Sequence, residues 1–137
     1  MTERLTVGLV PGGVYRRRDL HLGGLGGNWQ RGISYPARGD YVLLFSNPHG
    51  RDEYGYHDRW ESETVYRYFG EWSGSGDMTM TGGNQKIVER SPELHLFSET
   101  RGGYRYEGRF EYLDHQFEIT SREGRTLTAI VFRLRRA

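Results

Sequence analysis

The apolar positions divide the chain into short segments separated by turn residues. Tyr41–Ser46 is a continuous apolar run bounded by turn residues on both sides, which predicts a buried central strand. Alternation and turn residues predict six further strands: Arg4–Val10, Glu53–His57, Thr64–Gly70, Leu94–Ser98, Tyr104–Thr120, which is bent or broken near Asp114, and Leu127–Leu134.

Helical signals are few. Val14–Leu22 predicts one or two helical turns, and Asn84–Arg90 predicts a helix that ends before Pro92. Many short strands with turn signals every eight to twelve residues or so are typical of a barrel or sandwich. The expected fold is therefore α+β, mainly β, with one or two short helices. The 137 residues contain no repeat or linker tract, so we expect a single domain over 1–137.

The basic residues are almost all arginine. Lysine occurs only at Lys86, although lysine and arginine together number 19. Arginine meets phosphate or guanine edges with two hydrogen bonds and stacks on rings, which favours a nucleic-acid partner. The alternative is codon bias in a genome rich in G and C.

Two absences narrow the class of protein. The chain has no cysteine, which excludes disulfides and thiolate zinc sites. No apolar run approaches the roughly 20 residues that span a bilayer, and the first residues lack a secretory pattern. We therefore expect a cytoplasmic protein with no membrane partner.

Flat rings are concentrated between Tyr54 and Asn84. Asp58 and Asp77 lie among them, and rings with carboxylates suit a flat polar ligand such as a nucleobase. The alternative is an ordinary barrel core in which an aspartate caps a turn. The rings are Tyr54, Tyr56, Trp60, Tyr66, Tyr68, Phe69 and Trp72.

The order of several segments resembles the SRA (SET- and RING-associated) domain, a PUA-like β-barrel that reads methylated cytosine in DNA. Tyr54 and Tyr56 stand four and two positions before Asp58, whereas the family's tyrosine and aspartate stand three apart, and Phe69 replaces a family threonine. The chain also looks close to the N-terminal reader domains of bacterial HNH restriction endonucleases. The matching segments are Gly32–Ser34 with the strand after it, Tyr54–Asp58, Val65–Gly70, Asp77–Asn84 and Tyr104–Gly108.

The resemblance implies an SRA-like twisted barrel that flips a modified cytosine, most simply 5-methylcytosine, out of duplex DNA. Flipping costs a few kcal/mol, which stacking and hydrogen bonds to the base edge recover. Asp58 would accept a hydrogen bond from the cytosine amine, and Tyr68 with Tyr54 or Tyr56 would form the walls. Backbone groups of Phe69 and Gly70 would complete the pocket.

The remaining DNA contacts follow from charge and loop position. Trp29 and Gln30, or Trp72 and Ser73, are candidates to fill the space left by a flipped base; mobile loops are the alternative. Phosphate contacts are expected from arginines and from the start of the predicted helix. These candidates, with the serine of the Gly32–Ser34 turn, are Arg16, Arg17, Arg18, Arg31, Ser34, Gly83 and Asn84.

The sequence contains no motif typical of a catalytic or metal site. The five histidines show no pair at metal-ligand spacing, no serine lies in a nucleophile elbow and no HNH motif appears. We therefore predict a non-catalytic protein with no metal and no cofactor, whose partners are DNA carrying modified cytosine and a separate nuclease. The alternative is a β-barrel that binds a small ligand or carbohydrate and has no role with DNA.

Overall fold

The computed structural model describes residues 9–20, 32–36, 40–47 and 58–137, and the side chain of Arg18 lies outside that description. No helix in these ranges is long and apolar enough to cross a membrane. The strands are β1 Val14–Tyr15, β2 Ile33–Ser34, β3 Val42–Ser46, β4 Arg59–Trp60, β5 Val65–Phe69, β6 Leu94–Thr100, β7 Gly103–Arg122 and β8 Arg125–Arg136. The helices are α1 Arg17–Leu20 and α2 Gly82–Glu89.

One sheet carries the fold. Its eight strands follow the order β2-β3-β6-β7-β8-β5-β4, with β1 paired to β7. The β3 and β6 strands run parallel, and the other pairs are antiparallel. The mainly β class expected from the sequence is confirmed.

Most predicted elements are present with shifted ends. The apolar run forms β3, whose five residues are all buried, and the predicted second helix begins two residues early, at Gly82. The expected break in the long strand is a register shift between Tyr112 and Asp114. The prediction of a helix over Val14–Leu22 is wrong at its start, because Val14 and Tyr15 pair with β7. Among its described positions the helix covers Arg17–Leu20, and His21 and Leu22 lie outside the described residues.

Two other predicted strands cannot be compared. Arg4–Val10 lies outside the described residues except for its last two positions, which belong to no strand. Glu53–His57 lies wholly outside them.

The β7 and β8 strands form a long hairpin with a two-residue turn. Glu123 and Gly124 have φ of 52° and 75°. Positive φ at both turn positions is the type I′ geometry, whose twist matches that of the flanking strands. From the register shift near Asp114 to the turn, β7 and β8 therefore pair in one continuous register.

Apolar side chains pack on both faces of the sheet. The larger cluster includes Ile87 of α2 with Phe110 and Phe132 of the hairpin. The smaller one centres on Phe45 and Phe97, whose rings stack with centroids 5.0 Å apart. The helix thus covers one face and the segment around α1 covers the other.

Side chains, rather than a backbone ladder, bring β3 close to β5. These strands are separated by β6, β7 and β8 in the sheet order, and no ladder joins them in the described part of the chain. The Tyr68 hydroxyl nevertheless lies 3.1 Å from the carbonyl oxygen of Gly32 and 3.2 Å from that of Phe45. The sheet is therefore open but strongly curved, and we call this line of contacts the seam.

Loss of the Tyr68 hydroxyl should weaken the seam. In Tyr68→Phe the carbonyl oxygens of Gly32 and Phe45 lose the one hydroxyl hydrogen that they share, and the Gly32 carbonyl keeps only the Phe45 amide as a donor. We therefore expect the free energy of unfolding to fall by about 1 to 2 kcal/mol in urea titrations. Tyr15→Phe, which removes an exposed hydroxyl bonded to the Val10 amide, is the control and should change stability less. Equal losses would contradict a special role for the seam.

Candidate functional site

Asp58 lies at the seam, immediately before β4, and joins three segments. Its Oδ2 accepts a hydrogen bond of 2.6 Å from the Ser46 hydroxyl, and its Oδ1 accepts one of 2.7 Å from the backbone amide of Phe69. Ser46 Oγ also lies 2.6 Å from the Tyr66 hydroxyl. Because the single Ser46 hydrogen goes to the carboxylate, Tyr66 donates to Ser46.

The surroundings of Asp58 disfavour its charge. Burial raises the pKa of the Asp58 carboxyl from its ordinary 3.8 to about 7, against the opposing hydrogen bonds from Ser46 and from the Phe69 amide. No cation of the described residues is among the causes of this shift. Near neutral pH the carboxyl therefore exists in both protonation states, which differ in whether they can donate a hydrogen bond.

The three pocket residues on and after β5 differ in accessibility. Tyr68 is only 3% exposed and its ring belongs to the larger core cluster, so it is not the open wall that the sequence suggested. Phe69 is buried and supplies its amide to Asp58. Gly70 donates its amide to the carbonyl of Ile130 at 2.8 Å.

Asn84 closes the loop between β5 and α2 from within. Its Oδ1 accepts the Glu71 amide at 2.8 Å, and its Nδ2 donates to the carbonyls of Glu71 and Thr79 at 3.0 and 2.9 Å. A Cβ at Gly70 would lie 2.6 Å from this Oδ1, so the approach requires glycine. Asn84 is 1% exposed, which makes it a support of the loop and not an open phosphate contact.

The start of α2 is also occupied. The Gly83 amide, expected to hold a phosphate, donates to Glu71 Oε1 at 2.9 Å. A carboxylate of the chain itself therefore takes the position at this helix terminus that an anion would occupy.

The loop after β5 is tied to the tip of the hairpin. Arg122 and Arg125 donate to the carbonyls of Gly74 and Ser75 at 2.8 and 2.7 Å. Trp72 packs against the core with the Arg122 guanidinium 4.7 Å from its ring centre. Trp72 is therefore not at the free loop tip expected for a residue that fills the space left by a flipped base. Ser73 is exposed.

The predicted arginine run does not form one open face. Arg16 is exposed, whereas Arg17 is half-buried with its guanidinium carbon 3.8 Å from the centre of the Phe45 ring. Burial lowers the pKa of the Arg17 guanidinium, against the effect of Tyr104 and Tyr68. Ser34 in β2 is 1% exposed, so its side chain belongs to the interior.

Several predicted residues lie outside the described part of the chain: Tyr54, Tyr56, Trp29, Gln30 and Arg31, with the side chain of Arg18.

Two site residues were not predicted from the sequence in these roles: Ser46, which bonds to Asp58, and Tyr66, which bonds to Ser46. Ser46 is the one hydroxyl residue of a buried apolar strand, and Tyr66 alternates with Tyr68 on one face of β5. Both features are visible in the sequence, but the contacts of Ser46 with Asp58 and Tyr66 form only because the sheet curves.

Two of the histidines bond to tyrosine hydroxyls, one in the interior and one in a half-buried position. His95 is 2% exposed, and its ring nitrogens lie 2.7 Å from the Tyr106 hydroxyl and 3.2 Å from a Glu93 carboxylate oxygen. His115 Nδ1 lies 2.7 Å from the Tyr112 hydroxyl. Among the described residues, no group of three or more histidines, aspartates or glutamates could hold a metal ion.

The curved sheet and its seam belong to a known class of domain. The family model described as ScoMcrA-like, SRA domain matches residues 11–136, so the chain belongs to that family. The resemblance to SRA domains expected from the sequence is confirmed. No curated protein matches the chain.

Solved structures show the same fold. The SRA domain of SUVH5 in complex with methylated CHH DNA is 21% identical over 100% of this chain and 94% of that one, with a TM-score of 0.73. The sulfur-binding and SRA domains of ScoMcrA, complexed with phosphorothioated DNA, are 20% identical over 94% of this chain, with a TM-score of 0.71. The modification-dependent restriction endonuclease TagI is 21% identical over 100% of this chain, with a TM-score of 0.71. The match spans 40% of the ScoMcrA chain and 54% of the TagI chain.

The raised pKa of Asp58 predicts a pH dependence of stability. Because the fold disfavours the ionised carboxyl, its contribution is complete below its ordinary pKa of 3.8 and is lost as pH rises through about 7. Relative to Asp58→Asn, which stays neutral, the wild type should lose unfolding free energy across this range. Denaturant titrations at several pH values measure the difference, and parallel curves would contradict the shift.

The Asn84 contacts predict a second effect on stability. Asn84→Ala leaves the Glu71 amide and two carbonyls without their partner, so we expect a loss of about 1 to 3 kcal/mol. Asn84→Asp keeps the acceptor but loses both donor hydrogens, and it should also destabilise. Gln85→Ala, at the exposed neighbouring position, is the control for the helix itself. Unfolding free energies that are alike in all three variants would show that the loop does not depend on Asn84.

Proposed function

We propose that the protein is a non-catalytic reader of modified cytosine, most simply 5-methylcytosine, in duplex DNA, and that it flips the base into a pocket beside Asp58. Membership of the SRA family supports DNA reading as the class of function. Relatives of the same fold have been solved with methylated and with phosphorothioated DNA. The arrangement around Asp58 is the observation that carries the finer proposal.

The Asp58 carboxylate is held in place and keeps acceptor capacity. Each oxygen accepts one hydrogen bond, from Ser46 and from the Phe69 amide, which leaves further lone pairs on both. The exocyclic amine of cytosine is a donor that such a carboxylate recognises. Because the two bonds fix the carboxylate plane, the acceptor is oriented before the base arrives.

The walls of the pocket are assigned by elimination among the predicted rings. Tyr68 is in the core, so in this proposal it anchors the seam behind the base instead of stacking on it. Tyr54 or Tyr56 then supplies the stacking ring, and the backbone around Gly70 borders the base edge. Burial of one methyl group is worth about 0.8 kcal/mol, so we expect discrimination of several-fold.

The DNA backbone is proposed to contact the exposed arginine of the run and the glycine-rich segment before β2. Arg16 is exposed and free to meet phosphate, while Arg17 is placed beside Phe45 at the end of β3. Trp29, Gln30 and Arg31 are proposed to act at the base stack and its phosphates. These charge contacts give affinity for any DNA, over which the modification adds its increment.

The proposed protein partner is a nuclease that cuts the DNA this domain binds. TagI and ScoMcrA are restriction endonucleases much longer than the matched region. A reader that marks modified DNA needs a separate domain or protein to cut it, and we place that activity outside the region described here.

The proposal predicts which DNA binds best. Fluorescence anisotropy at one fixed salt concentration compares duplexes that differ at a single cytosine: unmodified, methylated on one strand, methylated on both, and hydroxymethylated. We expect tighter binding to a modified duplex by several-fold, on top of salt-dependent affinity for all four.

Two variants separate the two contributions. Asp58→Ala should abolish the preference while most general affinity remains, because the proposed phosphate contacts do not involve Asp58. The variant also loses the hydrogen bonds from Ser46 and from the Phe69 amide, so circular dichroism checks that it is folded. Arg16→Ala should weaken binding to all duplexes alike. Equal binding of the wild type to all four duplexes, or a preference that survives Asp58→Ala, would refute the pocket.

A further inference from the structure

The second half of β7 has a strand on one side only. The β6 strand pairs with β7 as far as Phe110, which lies opposite Leu94. The β8 strand continues to pair with β7 as far as Arg122. In the part of the chain that the structure describes, residues 113–122 therefore form an open edge of the sheet.

The neighbouring strand shows which backbone groups point into that edge. Thr128 and Ile130 of β8 direct their backbone groups away from β7: the Thr128 carbonyl accepts the Met78 amide at 3.0 Å, and the Ile130 carbonyl accepts the Gly70 amide at 2.8 Å. Opposite residues in an antiparallel pair bond either to each other or not at all. Phe117 and Ile119, which lie opposite Ile130 and Thr128, therefore direct their N–H and C=O groups to the open side.

The hairpin turn gives the same assignment independently. Arg122 and Arg125 flank the two-residue turn and so form a hydrogen-bonded pair. Counting back along β7, bonded and non-bonded pairs alternate, which leaves His115, Phe117, Ile119 and Ser121 with outward backbone groups.

The open edge is apolar where it is most exposed. Phe117 is 65% exposed and Ile119 is 79% exposed, the highest values among the large apolar side chains of the described residues. Sheet edges that stay single usually carry proline or charged side chains. Residues 113–122 contain no proline or lysine, and the one charge between Phe117 and Ile119, that of Glu118, is paired with Arg67 of β5. An edge of this kind is suited to adding a strand.

We propose that the edge of β7 pairs with the same edge of a second copy, in an antiparallel arrangement about a two-fold axis at Ile119. A two-fold axis makes the surface its own partner, so each copy supplies the same outward N–H and C=O groups. The two sheets then continue into one another, and the exposed apolar side chains of one copy cover those of the other.

Charge and existing contacts disfavour two of the neighbouring registers. An axis at Glu118 would set this carboxylate against its own copy, and like charges directly opposite are destabilising. An axis at Phe117 would place Ser121 of the second copy opposite Leu113. At that end of the edge the Tyr112 amide is already bonded to the Ser91 hydroxyl, which would obstruct the added strand. An axis at Ile119 avoids both conflicts.

In that register the cross-strand pairs are compatible. Ile119 faces its own copy, Phe117 faces Ser121, and Glu118 faces Thr120. Phe117 also lies diagonally across from Ile119 of the second copy, within reach for an aromatic side chain.

Analytical ultracentrifugation across a range of protein concentrations tests the proposal. We expect a dimer that dissociates on dilution, and in Ile119→Lys we expect the dissociation constant to rise at least about tenfold, because a charge would be buried on the axis. Ile119 is exposed, so the variant should fold, which circular dichroism checks. Val88→Lys changes an exposed apolar residue on α2 and should dimerise like the wild type. A wild type that stays monomeric at every concentration, or a dimer that Ile119→Lys leaves unchanged, would overturn the proposal.

Single cysteines test the register, because the chain has none of its own. On the axis, the Cα atoms of residue 119 would lie about 5.5 Å apart, within the range of a disulfide. Residues 117 of the two copies would be about 13 Å apart, too far for one. We expect Ile119→Cys to give a disulfide-linked dimer under mild oxidation of the folded protein and Phe117→Cys to give none. Linkage at 117 and not at 119 would overturn the proposed axis.

Discussion

The structure depends on hydrogen bonds that side chains make across its seam. Strands β3 and β5 are far apart in the order of the sheet, and the hydroxyls of Tyr66 and Tyr68 bring them together. A backbone ladder at this position would have filled the space between the strands with fixed amides. A seam made by side chains leaves room for a carboxylate, and Asp58 takes that room.

The position of Asp58 reflects a balance between two opposing effects. Removal from water disfavours the ionised carboxyl, while the two hydrogen bonds favour it, and the first effect is larger. A carboxyl held this way is well oriented, but near neutral pH its ionised and protonated forms differ little in free energy. A ligand that donates a hydrogen bond to it would favour the ionised state, so binding of such a ligand and release of a proton are linked.

Local patterns in the sequence predicted the strands and helices better than the contacts between them. The β3 strand and the hairpin follow from apolar runs and alternation, which depend on neighbours in the chain. The local pattern predicts a helix at Val14 and Tyr15, whereas the strand they form depends on pairing with β7 residues distant in sequence. The family of the domain was recognisable because several short segments occur in a fixed order, although each is weak alone.

The candidate site shows the same division. Asp58 and Gly70 could be named in advance from the resemblance, whereas Ser46 could not, since its contact with Asp58 requires the sheet to curve. Asn84 was expected to face DNA, yet three hydrogen bonds to its own loop place it inside. Residue type and order identified the region of the site, and burial decided which side chains remain open to a ligand.

The long hairpin also bears on the order in which the protein folds. Contacts between β7 and β8 join residues close in sequence at the turn, so they close small loops, whereas the parallel pairing of β3 with β6 must close a large one. We therefore expect the hairpin to be structured in the folding transition state and the seam to form after it. Substitutions at Ser46 or Tyr68 would then accelerate unfolding and leave the folding rate nearly unchanged, while substitutions in the hairpin would slow folding.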